Sequence, residues 1–115
     1  MSEALKDTKF LINKYRIKAN KNLGQNYLID DYKLKNILSF SNLKSDDTVL
    51  EIGSGIGTLT VELAKKVKNV ISIEKDSKIY NILNERLERS LSICLYRGTI
   101  FILRFSFANS GFCCQ

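Results

Sequence analysis

Between residues 32 and 88 the apolar positions switch between two rhythms. In 32–41, Leu34, Ile37, Leu38 and Ser41 fall on one face, which predicts a short amphipathic helix. Asp30 or Asp31 is placed to cap it. A polar loop, NLKSDD, follows at 42–47 and gives way to TVLEI at 48–52, a β-branched, apolar strand that stops at Gly53. Leu59, Leu63, Ala64 and Val67 then repeat at helical spacing over 58–67. The segment 69–74, NVISIE, reads as a second strand, and Ile79, Ile82, Leu83 and Leu87 mark an amphipathic helix over 76–88. Strand, helix and strand joined by short loops make a βαβ unit, and so a parallel sheet.

Residues 1–22 stand out by their charge. They read as a mobile basic arm in which Lys6, Lys9, Lys14, Arg16, Lys18 and Lys21 face only Glu3 and Asp7. Phe10, Tyr15 and several asparagines lie among the lysines, a composition suited to a phosphate backbone. The same lysines also fit a merely solvated tail, and the arm shows no strong apolar face to favour an acidic membrane. The whole chain has 115 residues and a formal net charge of +6, which bounds it to a single domain. No apolar run approaches the roughly 20 residues of a membrane span, and no signal peptide is evident. Three cysteines without zinc or redox spacing agree with a cytoplasmic location. The chain has no histidine, which argues against metal chemistry and serine-type triads. We expect a monomer with no metal and no membrane partner.

Between the first strand and its helix lies EIGSGIG, in which Gly53, Gly55 and Gly57 follow Glu51. Glycines at the carboxyl end of a strand let a ligand approach the main chain, at the edge where open α/β sheets bind ligands. The spacing is not the G-x-G-x-x-G of dinucleotide folds, and no Gly-Lys-Ser/Thr follows to make a P-loop. Glu74 ends the second strand, where an acid can accept hydrogen bonds from two ribose hydroxyls. Acid-x-Gly-x-Gly-x-Gly followed by a strand-end acid resembles the cofactor loop of class I S-adenosylmethionine-dependent methyltransferases. That cofactor has no pyrophosphate, so no helix N-terminus has to cradle one.

Upstream, KANKNLGQNYLID at 18–30, together with VLEIGSGIGTLTVELAKK, resembles the small-subunit ribosomal RNA adenine dimethyltransferases from about residue 18 to 87. The resemblance implies an α/β fold: the N-terminal part of a Rossmann-like class I methyltransferase sheet, one βαβ unit preceded by a basic arm and a helix, and cut short. It also implies S-adenosylmethionine as cofactor, with Asn26, Leu28 and Gly53 at its amino-acid end, Gly55 in the loop and Glu74 on the ribose. The partner implied is small-subunit ribosomal RNA or the pre-ribosomal small subunit. The reaction implied is dimethylation of the exocyclic amines of two adjacent adenosines near the RNA's 3′ end. Ser54 stands where this family usually has proline. The antibiotic-resistance methyltransferases that modify large-subunit RNA share Gln-Asn-Phe and the glycine loop, but tend to lack the Leu-Gly present here as Leu23 and Gly24. A non-enzymatic RNA-binding piece is the third reading.

The domain reading is therefore a basic arm over 1–22, a partial cofactor domain over 23–88 and a divergent tail over 89–115. The tail has no acidic residue, and the chain has no proline, so the Asn-Leu-Pro-Tyr that would grip the target amine is absent. No catalytic residue is assigned. We expect the tail to be translated out of frame, a divergent pair of strands being the alternative, and we expect little activity from these residues alone.

Overall fold

A computed structural model of the chain describes residues 1–18, 27 and 30–98. Its elements run α1 (Glu3–Lys14), α2 (Asp31–Phe40), β1 (Thr48–Ile52), α3 (Thr58–Ala64), β2 (Asn69–Glu74), α4 (Ser77–Leu87) and β3 (Ile93–Arg97). The strands form one parallel sheet in the order β1-β2-β3. Val49 pairs with Val70 and Ile52 with Ile73, and β2 in turn sets Val70 against Ile93 and Ile73 against Tyr96.

The burial of each strand follows from its place in the sheet. Central β2 is buried along nearly its whole length, which is why NVISIE reads as a nearly continuous apolar run. β1, at the end of the described sheet, leaves Leu50 and Ile52 exposed. Leu63, Val67, Val70, Leu83, Leu87 and Ile93 form the core between sheet and helices. A second cluster joins Ile17, Ile56, Ile79 and Ile82 beneath α1. Asp30 caps α2 by accepting from the amides of Tyr32 and Lys33, and Asp76 caps α4 through Lys78 and Ile79.

Two expectations need correction. Residues 3–14 are not a mobile arm: they form α1, which buries Ala4, Leu5 and Thr8 and half-buries Leu11 and Ile12. These positions share a helical face that the intervening lysines disguise in the sequence. Ser2 caps the helix, and its backbone amide donates to both oxygens of Asp31 at 2.9 and 3.1 Å. Those bonds hold the Asp31 carboxyl at about 2 and tie the start of α1 to the start of α2.

The second correction concerns the boundary expected at 89. β3 pairs in register with β2, and Ile93 and Cys94 are buried in it, so the sheet continues through Arg97. A five-residue strand with a single β-branched residue gives too little pattern to separate a real strand from an out-of-frame tail. The remaining residues of the expected tail, 99–115, lie outside the described ones.

Gly57 joins the loop to α3 with φ +89, and a Cβ there would sit 2.5 Å from Leu83 Cδ1. Gly53 has φ +77 with open space at that position. Gly57→Ala should therefore cost about 2–4 kcal/mol in chemical denaturation, from backbone strain plus overpacking. Gly53→Ala should cost about 1–2 kcal/mol, from strain alone. Equal losses at the two positions would show that α4 does not press on the loop.

Candidate functional site

The carboxyl ends of β1 and β2 are stitched together by the loop that follows β1. The amides of Gly53 and Ser54 both donate to the Ile73 carbonyl, at 2.8 and 3.2 Å. Gly53, Gly55 and Gly57 all take positive φ, so the chain reverses tightly and its amides are turned inward. One of them, Gly55 N–H, donates to Glu74 Oε2 at 2.7 Å, while Asp76 N–H donates to Glu74 Oε1 at 3.0 Å. Glu74 is thus almost fully buried, with each oxygen fixed by one backbone amide and one acceptor position left on each.

Beside the start of the loop lies a second buried acid. Glu51 Oε2 accepts from Thr60 Oγ1 at 2.7 Å and from Ser72 Oγ at 3.0 Å. Ser72 Oγ also lies 2.6 Å from Ser54 Oγ, so Ser54 is built into the network. Among the described residues Glu51 Oε1 has no hydrogen-bond partner, and it is not sealed from solvent. Burial pushes the Glu51 carboxyl up; the Thr60 and Ser72 hydroxyls pull it down, and the charge of Glu74 adds to the rise.

In front of the loop is a cleft of about 200 Å³, bordered by Glu51, Gly53, Ser54 and Gly55, with Tyr27 and Ile37 opposite. Whole ligand pockets run to roughly 300–1,000 Å³, so these residues make up one side of a site. The Tyr27 ring lies over Gly55, 3.6 Å from where a Cβ would stand. Burial, then the charges of Asp76 and Glu74, pushes its phenol up.

Of the residues expected at the site, Gly53 and Gly55 line the cleft, as does Glu51. Glu74 does not line it but holds the far side of Gly55. Asn26 and Leu28 lie outside the described residues. Thr60, Ser72 and Tyr27 escaped the sequence reading. A serine in the middle of the apolar run NVISIE was the signal for Ser72, since a buried hydroxyl requires a partner. Thr60 and Tyr27 gave no comparable signal.

A cationic ligand with a vicinal diol fits this donor and acceptor set. The glycine amides are already engaged, and what remains unsatisfied is acceptor capacity on two carboxylates. The small-subunit ribosomal RNA methyltransferase A of Clostridium botulinum (strain Okra) is 50% identical over 100 residues, covering 87% of this chain and 36% of the relative. The chain therefore spans about a third of that relative's length. Among solved structures, a dimethyladenosine transferase from Plasmodium falciparum superposes with a TM-score of 0.61 at 34% identity, covering 67% of this chain and 29% of that one. The 23S ribosomal RNA methyltransferase ErmE superposes with a TM-score of 0.64 at 31% identity, covering 70% of this chain and 33% of that one. The family model described as ribosomal RNA adenine dimethylase matches residues 16–109. The chain belongs to the ribosomal RNA adenine dimethylase family.

Proposed function

We propose that these residues form the S-adenosylmethionine-binding part of an enzyme of ribosome biogenesis. The enzyme dimethylates the exocyclic amines of two adjacent adenosines near the 3′ end of small-subunit ribosomal RNA. The observation that carries the reading is the pair of buried carboxylates on either side of the glycine loop. Glu74 keeps one acceptor position on each oxygen, and Glu51 presents an unpartnered oxygen beside the cleft.

Glu74 would accept the two ribose hydroxyls, and the main chain at Gly53 would face the amino-acid end, beside Asn26 and Leu28 by family similarity. Glu51 would offset positive charge at that end. The cofactor, when bound, supplies an already electrophilic methyl group, so the residues around it chiefly have to orient it and exclude water. Gripping and activating the acceptor amine belongs to the Asn-Leu-Pro-Tyr segment of the family, which is not among these 115 residues. Lys6, Lys9, Phe10, Asn13 and Lys14 are exposed on the outer side of α1 and supply a basic surface for the RNA. The small subunit is favoured over the large by the Leu23-Gly24 pair and by the naming of the Clostridium botulinum relative.

Titration calorimetry should show S-adenosylmethionine binding to the full chain, undisturbed by NADH, with affinity at least tenfold lower in Glu74→Ala. A folded chain that binds no S-adenosylmethionine would sink the cofactor reading. For the RNA, Lys6, Lys9 and Lys14 changed together to Gln should lower the slope of log affinity against log salt by about 2–3. An RNA from the small-subunit 3′ end should compete better than one from the large subunit.

Glu51 gives a pH prediction. Its folded-state pKa lies above the unfolded one, so as pH falls the folded chain takes up this proton first. The stability gained is complete below the unfolded pKa and is lost as pH rises through the folded value. Glu51→Gln should therefore melt above the wild type at neutral pH, with the difference closing on acidification, while its cofactor affinity falls. A variant that melts lower at neutral pH would show that the hydroxyl network outweighs the burial of the charge.

A further inference from the structure

On the side of the loop away from the cleft, a single side chain connects two segments far apart in sequence. Arg86, half-buried near the end of α4, donates from Nη1 to the Ile56 carbonyl at 2.7 Å and to Thr8 Oγ1 at 3.1 Å. Its Nη2 donates to the Ala4 carbonyl at 3.0 Å. Ile56 stands between Gly55 and Gly57, so Arg86 fixes the peptide plane between the two left-handed turns of the loop. Ala4 and Thr8 belong to α1.

We propose that Arg86 is a positioning residue that makes the shape of the glycine loop conditional on α1 being docked. Among the described residues Arg86 has no carboxylate within ion-pair distance, so neutral oxygens from α1 and the loop satisfy its guanidinium. Two of those three acceptors are on α1. When α1 leaves, the cation loses most of its partners, is drawn into water, and releases the Ile56 carbonyl.

A second contact runs alongside. Thr8, wholly buried, gives its proton to the Ala4 carbonyl at 2.7 Å. Its oxygen lies 2.6 Å from Thr58 Oγ1, on the first residue of α3 after Gly57. α1 thus reaches the loop both through Arg86 and at the point where the loop becomes helix. The family model begins at residue 16, so this bracing comes from a helix that precedes the matched stretch. If α1 carries the RNA-facing surface, as the reading above has it, polyanion and cofactor act on the two ends of one hydrogen-bonded unit.

The test is amide hydrogen exchange on the full, ligand-free chain, comparing wild type with Arg86→Met, Arg86→Lys and Thr8→Val. The amides of Gly55 and Gly57 report on the loop, and those of Val70 and Ile73 in β2 report on global opening. Arg86→Met and Thr8→Val should speed exchange at Gly55 and Gly57 at least tenfold and leave Val70 and Ile73 within threefold. Arg86→Lys should fall between, because an ammonium cannot reproduce the three-way fork. S-adenosylmethionine affinity should fall about tenfold in Arg86→Met and in Thr8→Val, and little further when the two are combined, the non-additivity expected of one unit. Parallel acceleration in loop and β2, or an unchanged loop, would reduce Arg86 to a general anchor and overturn the proposal. If Arg86→Met fails to fold, Thr8→Val decides the same question, because it removes an α1 partner of Arg86 and leaves the Arg86–Ile56 bond itself unchanged. Should the wild type bind no cofactor, the functional reading fails, and the loop amides still decide the role of Arg86.

Discussion

The hydrogen bond from the Gly55 amide to the Glu74 carboxylate sets the terms for everything around it. It requires a left-handed residue at 55, brings the end of β2 under the loop, and buries an acid that would otherwise be solvated. A buried carboxylate is tolerable only when donors meet it, and here two backbone amides from different loops do so. The parallel register of β1 and β2 places Ile52 beside Ile73, so that the next residues, Gly53 and Glu74, start the loop and end the strand side by side. Sheet register, glycine conformation and acid placement are consequences of one another.

Most of this was legible in the sequence because it is written in short-range pattern. Apolar periodicity located β1, α3, β2 and α4, and the acid and glycine spacing located the loop. The illegible parts depend on distant residues. α1 was hidden because its lysines lie between the apolar residues of one face, and the helix is stabilised by Thr58 and Arg86, 50 and 78 positions away from Thr8. Arg86 itself left a faint trace, a charged residue three positions after Leu83 and directly before Leu87 on the buried face of α4. Nothing in its sequence neighbourhood sets it apart from an ordinary helix arginine. Ser72 left a similar trace inside β2.

The buried acid at the edge of the cleft weighs against stability. Burial, and then the charge of Glu74, raise the cost of ionising Glu51, and the Thr60 and Ser72 hydroxyls only partly offset it. The exchange of stability for function is a general one.

The contact between Gly57 and Leu83 also bears on how far the loop is a portable part. Its glycines look self-contained in sequence, a motif that could be lifted onto another strand-turn-helix. Yet Leu83 dictates what can occupy position 57, and Ile56 is held from behind by a residue of the same helix. A graft of residues 51–60 would carry the motif and leave behind the face of α4 that gives it its shape. The transferable module is the loop together with α4 and the inner side of α1.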